Sequence, residues 1–167
     1  MEMKFVAILM GSDSDLPIMD AAVDILKRFG VALEVKVTSA HRTPAETQAY
    51  VQSAETRGCQ AFIAGAGMAA HLAGAIAAQT TRPVIGVPID AGPLQGFDAL
   101  LSTVQMPGGI PVATVAIGKA GAKNAGYLAV QMMALSDSSL AEALQRERLE
   151  NAQAILEKSE AIGQRYL

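Results

Sequence analysis

The strongest constraint on the fold is an alternation, repeated along most of the chain, between β-rich apolar runs and segments of helical periodicity. The predicted strands cover residues 5–10, 33–38, 61–64, 83–88 and 112–117. Between them, apolar residues recur every three or four positions, a spacing typical of amphipathic helices. The predicted helices cover residues 16–29, 44–57, 68–79, 97–105 and 121–135. Five strands joined by crossover helices predict a parallel sheet between two helical layers.

A charged segment with regularly spaced apolar residues follows the last of these helices. Its apolar positions, within residues 138–163, are Leu140, Leu144, Leu149, Ala152, Ile155, Leu156 and Ile162. This pattern predicts a final amphipathic helix that covers either the sheet of its own chain or a neighbouring subunit. Because 167 residues are an ordinary length for one domain, we expect residues 1–167 to form a single domain with a helical tail from about residue 138.

The composition narrows the class of protein and of partner. The one cysteine, Cys59, has no disulfide partner within the chain, which favours a reducing compartment such as the cytoplasm, and we expect it to pack as a small apolar side chain. No N-terminal stretch resembles a signal peptide, and no apolar run reaches the roughly 18 residues of a membrane span. A net charge of −3 without clustered Lys and Arg disfavours a nucleic-acid partner. A small molecule is the expected partner.

The most informative motif is Ser-Ala-His-Arg-Thr-Pro at residues 39–44. It follows a predicted strand, and Pro44 is suited to the first turn of a helix, so the motif lies at the carboxyl edge of the sheet, where α/β proteins bind ligands. His41 can move a proton, and the permanent charge of Arg42 is suited to a phosphate. Each residue also has a structural interpretation: a backbone-bonded loop histidine for His41, a surface ion pair for Arg42 and a helix cap for Ser39.

A second candidate loop, Gly-Ser-Asp-Ser-Asp at residues 11–15, follows the first predicted strand. Backbone N–H groups from Gly11 onward favour a phosphate at the helix start, and Ser12 adds a hydroxyl. Asp15 can accept hydrogen bonds from ribose hydroxyls. Since Ser and Asp are favoured N-caps wherever a helix begins, this loop taken alone is interpreted first as a simple helix cap, and a ligand site is the alternative.

The third loop, Gly-Ala-Gly-Met-Ala-Ala-His at residues 65–71, contains a G-x-G-x-x-A match, and Asp90 stands 20 residues beyond Ala70. Dinucleotide-binding folds use such glycines for the pyrophosphate and such an acidic residue for a ribose hydroxyl, so a nicotinamide or flavin function is an alternative. The match follows the third predicted strand, whereas the fingerprint normally belongs to the first strand-to-helix turn. Its position in the chain therefore disfavours the dinucleotide interpretation.

A different use of the third loop fits its composition better. The bare backbone from Gly65 through Ala66 to Gly67 can approach a flat ring or a small carboxylate closely. Met68 and the neighbouring alanines are then expected on a tightly packed helix face. His71 is either a pocket residue or a histidine satisfied within the first turn of the helix.

Four ordered motifs resemble one family. They are Met-Gly-Ser-Asp-Ser-Asp at 10–15, Ser-Ala-His-Arg-Thr-Pro at 39–44, Gly-Ala-Gly-Met-Ala-Ala-His-Leu at 65–72 and Val-Gln-Met-Pro-Gly-Gly-Ile-Pro at 104–111, with a further block, Ala-Ile-Gly-Lys-Ala-Gly-Ala-Lys-Asn-Ala, at 116–125. From about residue 5 to 135 the chain is similar to the 5-(carboxyamino)imidazole ribonucleotide mutase family, often called PurE. Arg42 and His71 match its mutase branch, since the related carboxylase branch generally has Lys at the Arg position. The chain departs from the usual pattern with Met68 for a glycine and Ala73 for a proline, which bears on pocket shape and substrate fit.

The resemblance implies an isomerase of de novo purine synthesis, which moves a carboxylate from the exocyclic nitrogen of the ribonucleotide to ring carbon 4. It implies that His41 moves the proton, that Arg42 and Ser12 hold the phosphate and that Asp15 holds the ribose hydroxyls. It assigns the ring and carboxyl group to Ser39 and to the backbone of Gly65, Ala66 and Gly67, and it counts Gly11 and His71 among the substrate-binding residues. It implies neither a metal nor an organic cofactor, and it implies a homo-octamer.

The strand pattern and the resemblance together lead us to expect a three-layer α/β/α sandwich. Its sheet is five-stranded, parallel and flavodoxin-like, and an amphipathic helix closes the chain. Two other functions stay open at this point. One is a carboxylase that uses free carbon dioxide on aminoimidazole ribonucleotide or another ring, and the other is a non-catalytic nucleotide-binding module in which His41 is dispensable.

Overall fold

The structure, a computed structural model, describes residues 4–166 of the chain. Its strands are β1 (Phe5–Met10), β2 (Ala32–Val37), β3 (Cys59–Gly67), β4 (Val84–Ile89) and β5 (Ala113–Thr114). All four neighbouring pairs are parallel, and the order across the sheet is β2-β1-β3-β4-β5. This is the strand order of flavodoxin-like folds. The predicted fold class is confirmed.

Four helices connect successive strands and two more follow the last strand, and within the unit that contains the sheet, helices pack on both of its faces. They are α1 (Leu16–Arg28), α2 (Pro44–Thr56), α3 (Leu72–Ala77), α4 (Phe97–Val104), α5 (Gly118–Ala134) and α6 (Ser138–Gly163), with short 3-10 turns at Asp13–Asp15 and Gln164–Tyr166. Residues of α2 and α3 share one buried cluster with Phe5, Ala7 and Leu9 of β1. The alternate residues of a strand face the opposite side, where α1 and α5 touch so closely that a Cβ at Gly126 would lie 2.9 Å from the Cβ of Ile25.

The region after β3 differs from the sequence prediction. Strand β3 continues past residue 64 to Gly67, because Gly65 and Gly67 pair with Val87 and Ile89 of β4. The sequence did not predict this extension, because glycine is rare in strands and adds nothing to the apolar pattern. Pairing with β4 nevertheless holds these glycines in the sheet. Helix α3 begins at Leu72 and not at Met68. The expected place of Met68 on a packed helix face is therefore wrong: its φ of 55° is left-handed, and its side chain is 56% exposed.

Strand β5 is also shorter than expected. It covers two residues, where the sequence predicted a strand over 112–117. Only Ala113 and Thr114 pair with β4, so the apolar run supplies an edge strand whose ends leave the sheet. The run is apolar because it packs beside the sheet as well as within it: a Cβ at Gly86 of β4 would lie 2.9 Å from the Val112 side chain.

The described chain divides into two compact units between Val130 and Gln131. The first contains the whole sheet, and the second contains the end of α5, helix α6 and the last 3-10 turn. Asp137 caps α6, accepting hydrogen bonds from the N–H groups of Ser139 at 3.0 Å and Leu140 at 3.3 Å. The single domain expected over 1–167 stays a prediction, and residues 1–3 and 167 lie outside the described residues. Across residues 4–166, no helix is long and apolar enough to cross a membrane.

Cys59, at the start of β3, packs as the small apolar side chain that the sequence predicted. It is fully buried, and its thiol donates a hydrogen bond to the Ala61 carbonyl at 3.3 Å. Burial raises the pKa of the Cys59 thiol to about 11, against about 8.5 for a free cysteine.

We expect the Cys59 thiol to resist Ellman's reagent at pH 7 in the folded protein and to react after denaturation, because the thiolate is the reactive form. The unfolded chain loses this proton at lower pH than the folded chain. The same group should therefore lower the free energy of unfolding as the pH rises from about 8.5 toward 11. Rapid stoichiometric labelling of the native protein at pH 7 would contradict this assignment.

Candidate active site

A cleft opens at the carboxyl edge of the sheet, between β1 and β3. The order in which successive strands are added to the sheet reverses at this point, because β2 lies on one side of β1 and β3 lies on the other. Met10 at the end of β1 pairs with both Val37 of β2 and Gly65 of β3, so these strands end at nearly the same level and their following loops meet. Ligands of open α/β sheets bind at this kind of switch point. The cavity volume is about 390 Å³, within the range of about 300–1,000 Å³ found for small-molecule sites.

The structure brings together nine of the ten predicted site residues. Those lining the cleft are Gly11, Ser12, Asp15, Ser39, His41, Arg42, Ala66, Gly67 and His71. Gly65 is not among the lining residues. A Cβ at Gly65 would overlap the thioether of Met19 in α1, so this glycine is needed for the packing of α1 on the sheet. The binding role expected for Gly65 has no support in this geometry.

The loop after β1 forms a capping box. The Ser12 hydroxyl accepts a hydrogen bond from the Ser14 N–H at 3.3 Å, and the Asp15 carboxylate accepts one from the Ser12 N–H at 3.1 Å. Burial raises the pKa of the Asp15 carboxyl; the hydrogen bond from Ser12 opposes this, and the neighbouring Asp13 adds to it. The capping interpretation is therefore realised. Because Ser12 and Asp15 also line the cleft, their predicted ligand contacts stay a prediction.

Arg42 joins the loops after β1 and β2. Its Nη2 donates to the Gly11 carbonyl at 2.8 Å, and its Nε donates to the Ser39 hydroxyl at 3.4 Å. The Arg42 backbone N–H also donates to the Ser39 hydroxyl, at 3.1 Å. These contacts hold the exposed guanidinium at the mouth of the cleft. A fixed fork of N–H donors in this position is suited to binding a phosphate.

His41 and His71 are in direct contact, although 30 positions separate them in the chain. His41 Nε2 lies 2.6 Å from His71 Nδ1, and the two rings are perpendicular with their centroids 4.8 Å apart. A hydrogen bond between two ring nitrogens needs a proton on one and a lone pair on the other. With a proton on one of the two facing nitrogens, the pair is arranged to deliver or accept a proton at the surface of the cleft.

The structure does not bring the Asp90 carboxylate into the cleft beside the predicted dinucleotide motif. Asp90 is not a lining residue of the cleft, and its carboxylate lies against Gly118, where a Cβ would be 3.1 Å from Oδ1. The Gly-rich stretch belongs largely to β3 and is separated from α3 by residues 68–71. The ribose and pyrophosphate contacts of a dinucleotide fingerprint need the glycines at a strand-to-helix turn, and this arrangement is absent from the described residues.

Sequence reasoning missed one connection that lines the cleft. Ala91 follows β4 and lies beside the third loop, where a Cβ at Gly67 would be 2.7 Å from its Cβ. The only signal was its place after a strand of the same sheet edge. Among residues 4–166, no three His, Cys, Asp or Glu side chains are grouped so that they could hold a metal ion.

The comparisons with known proteins agree with this architecture. The AIR carboxylase family profile matches residues 5–154. The chain belongs to the AIR carboxylase family. The resemblance found in the sequence motifs is thereby confirmed.

Within the AIR carboxylase family, the chain is 53% identical to the N5-carboxyaminoimidazole ribonucleotide mutase of Bacillus subtilis strain 168, covering 94% of this chain and 97% of that protein. It is 50% identical to the phosphoribosylaminoimidazole carboxylase of Saccharomyces cerevisiae, covering 94% of this chain and 27% of that protein. The crystal structure of Treponema denticola PurE is 30% identical, with a TM-score of 0.83 and coverage of 92% of this chain and 95% of that one. The family and the fold thus have support from sequence and from structure.

Proposed function

We propose that this chain is a mutase that converts 5-(carboxyamino)imidazole ribonucleotide to 5-amino-1-(5-phospho-D-ribosyl)imidazole-4-carboxylate in de novo purine synthesis. The observation that carries this proposal is the His41–His71 contact, with Nε2 and Nδ1 2.6 Å apart, in a cleft that also contains Arg42. A proton-moving pair beside a phosphate-binding cation is what a carboxyl migration on a ribonucleotide needs. Near-full-length identity of 53% to a protein with that mutase name supports the same activity.

The proton balance of this reaction defines the task of His41. The exocyclic nitrogen loses its carboxyl group and gains a proton, while ring carbon 4 gains the carboxyl group and loses a proton. One group that gives a proton to the nitrogen and then takes one from carbon 4 ends in its starting state. His41 performs both transfers in our proposal, and His71 orients its ring through the hydrogen bond between them.

The remaining cleft residues hold the substrate in this proposal. Arg42 and Ser12 bind the phosphate, since their N–H and hydroxyl groups lie in adjacent loops. Asp15 accepts from the ribose hydroxyls through the carboxylate oxygen that does not cap the loop. Ser39 and the backbone of Ala66 and Gly67 face the ring and the migrating carboxyl group. Such positioning converts capture of a released fragment into a reaction within one complex.

A carboxylase that takes up free carbon dioxide is the second candidate. It is favoured by the 50% identity to a protein named phosphoribosylaminoimidazole carboxylase. Both candidates need a ribonucleotide site and a proton carrier, so cleft geometry alone does not separate them. The source of the carboxyl carbon distinguishes the mutase from the carboxylase.

The deciding experiment supplies enzymatically generated 5-(carboxyamino)imidazole ribonucleotide together with ¹³C-bicarbonate. A mutase should form the ring-carboxylated product with little ¹³C, because the carboxyl carbon comes from the substrate. A parallel reaction supplies aminoimidazole ribonucleotide with ¹³C-bicarbonate, and product formation there, with ¹³C in the new carboxyl group, would support the carboxylase. Binding without turnover of either substrate would leave the nucleotide-binding module as the function.

The assembly and location that accompany this function are also proposals. Helix α6 exposes four large apolar side chains, Leu149, Ile155, Leu156 and Ile162, each at least 56% exposed. Such residues are suited to contact with further copies of the chain, and we propose the homo-octamer that the family resemblance implies, in the cytoplasm. Light scattering after size-exclusion chromatography tests this assembly, and a monomeric mass would contradict it.

A further inference from the structure

Met68 has an unusual backbone conformation for its residue type. Its φ is 55°, and among the described residues only Gln95 is another non-glycine with positive φ. A side chain in this left-handed region crowds its own backbone, so the conformation persists where the surrounding structure requires it, and often at functional sites. Glycine would adopt the same backbone without crowding. The side chain at this position therefore calls for a role of its own.

The Met68 side chain spans from the end of β3 to the connection after β4. A Cβ built at Gly92 would lie 3.5 Å from Cγ of Met68, 3.9 Å from Sδ and 4.0 Å from Cε, so the thioether packs beside the space that a side chain at Gly92 would occupy. Gly92 itself has a φ of 77°. Gly67 and Ala91 make a second close approach between the same two connections. These contacts place the Met68 side chain along one wall of the cleft.

Core packing does not explain this side chain. Met68 is 56% exposed, whereas Met19 on α1 and Met10 in β1 are fully buried. It lines the cleft, and an unbranched thioether can move aside for a ligand and return more readily than a branched side chain. An exposed, strained, flexible apolar side chain at the rim of a cleft fits a role in closing that cleft.

We propose that Met68 retains the reaction fragments by closing the β4 side of the cleft, an inference that rests on the proposed mutase function. When the bond between the exocyclic nitrogen and the carboxyl carbon breaks, its electron pair stays on nitrogen and neutral carbon dioxide is released. Carbon 4 then forms the new bond and gives up its proton. Between these steps carbon dioxide has no covalent attachment, so an apolar wall that excludes water and slows its escape favours recapture.

The test compares three substitutions at Met68, each supplied with 5-(carboxyamino)imidazole ribonucleotide in carbon-dioxide-depleted buffer. Met68→Ala removes the thioether and keeps the left-handed Cβ, Met68→Gly also removes the crowding, and Met68→Leu restores an apolar side chain of similar volume. The readout is the ratio of aminoimidazole ribonucleotide to ring-carboxylated product, corrected for spontaneous decarboxylation. For the Ala and Gly variants we expect this ratio to rise about tenfold, the lower end of what lost apolar pocket contacts produce. The Leu variant should stay near the wild-type ratio.

Leu94→Ala is the matched control, since Leu94 is 58% exposed in the same connection after β4 but does not line the cleft. It should leave the ratio unchanged. An unchanged ratio in Met68→Ala, a leak in the Gly variant alone, or an equal leak in the Leu variant would overturn the proposal. If the wild-type protein does not convert the substrate at all, the proposed mutase function is contradicted, and with it this inference, which rests on that function. Thermal unfolding of each variant shows whether a leak reflects loss of folded protein.

Discussion

Replacing His41 by Asn is expected to lower kcat by about 10²- to 10⁴-fold, the usual contribution of a positioned proton carrier. Asparagine has a similar reach and retains hydrogen-bonding atoms, but it does not titrate. Substrate affinity should stay close to the wild-type value, because the proposed phosphate and ribose contacts come from Arg42, Ser12 and Asp15. Steady-state kinetics, together with calorimetric binding of the ring-carboxylated product, would measure the two effects separately.

The partner histidine provides the control for this experiment. The chain has two histidines, and both belong to the 2.6 Å contact. His71→Asn should lower kcat less than His41→Asn, because an amide can still hydrogen-bond the His41 ring while the proton carrier remains. An unchanged kcat in His41→Asn would remove this residue from the mechanism. A larger loss in His71→Asn than in His41→Asn would exchange the roles of the two rings.

Replacing Arg42 by Ala is expected to weaken binding of the ribonucleotide by about 10- to 100-fold, which corresponds to the loss of charge-assisted hydrogen bonds. The dephosphorylated nucleoside should be weakened much less, because it lacks the group that the guanidinium binds in our proposal. The Arg42→Lys variant should bind the ribonucleotide with an affinity between those of the wild type and of Arg42→Ala, since lysine keeps the charge but loses the planar fork of donors. Competition binding of nucleotide and nucleoside to each variant gives the comparison.

Arg42 also donates to the Gly11 carbonyl and the Ser39 hydroxyl, so its loss changes the loops as well as the charge. Thermal unfolding distinguishes a folded Arg42→Ala variant from a destabilised one. Arg82→Ala is a matched control, because Arg82 is an exposed arginine that lies 3.9 Å from Glu55 and does not line the cleft. Equal weakening of nucleotide and nucleoside by Arg42→Ala would refute the phosphate assignment.

The fold and the loops of the site could be predicted because their signals are local. The β-rich run over Phe5–Met10 and the periodic α1 after it predicted their own structures, and the repetition of that unit left few topologies for the chain. Parallel strands place their carboxyl ends at one edge, so the loops around Ser12, His41 and Gly67 had to face the same side. Nine of the ten predicted site residues line the cleft for this reason.

Gly65 shows what the same reasoning left out. Its absent Cβ predicted close approach of the backbone to a flat ring or a small carboxylate, and that contact stays a prediction. The structure adds that the absent Cβ leaves room for Met19 of α1. The predicted helical position of Met68 was wrong for a different reason. Residues 68–77 have a helical apolar pattern, but β3 pairs with β4 as far as Gly67, and α3 therefore begins only at Leu72.

The layered α/β architecture, the loops that carry the chemistry and the family could all be predicted from the amino-acid sequence, because periodicity and motif spacing are properties of neighbouring residues. Three contacts became evident from the folded structure: His41 meets His71, Arg42 reaches the Gly11 carbonyl and the Met68 side chain packs beside Gly92. Each of these contacts joins loops that follow different strands. Their distances depend on strand order, register and the exact length of each strand, and a change of one residue in β3 would move its loop by about 3.3 Å, more than the length of the histidine hydrogen bond.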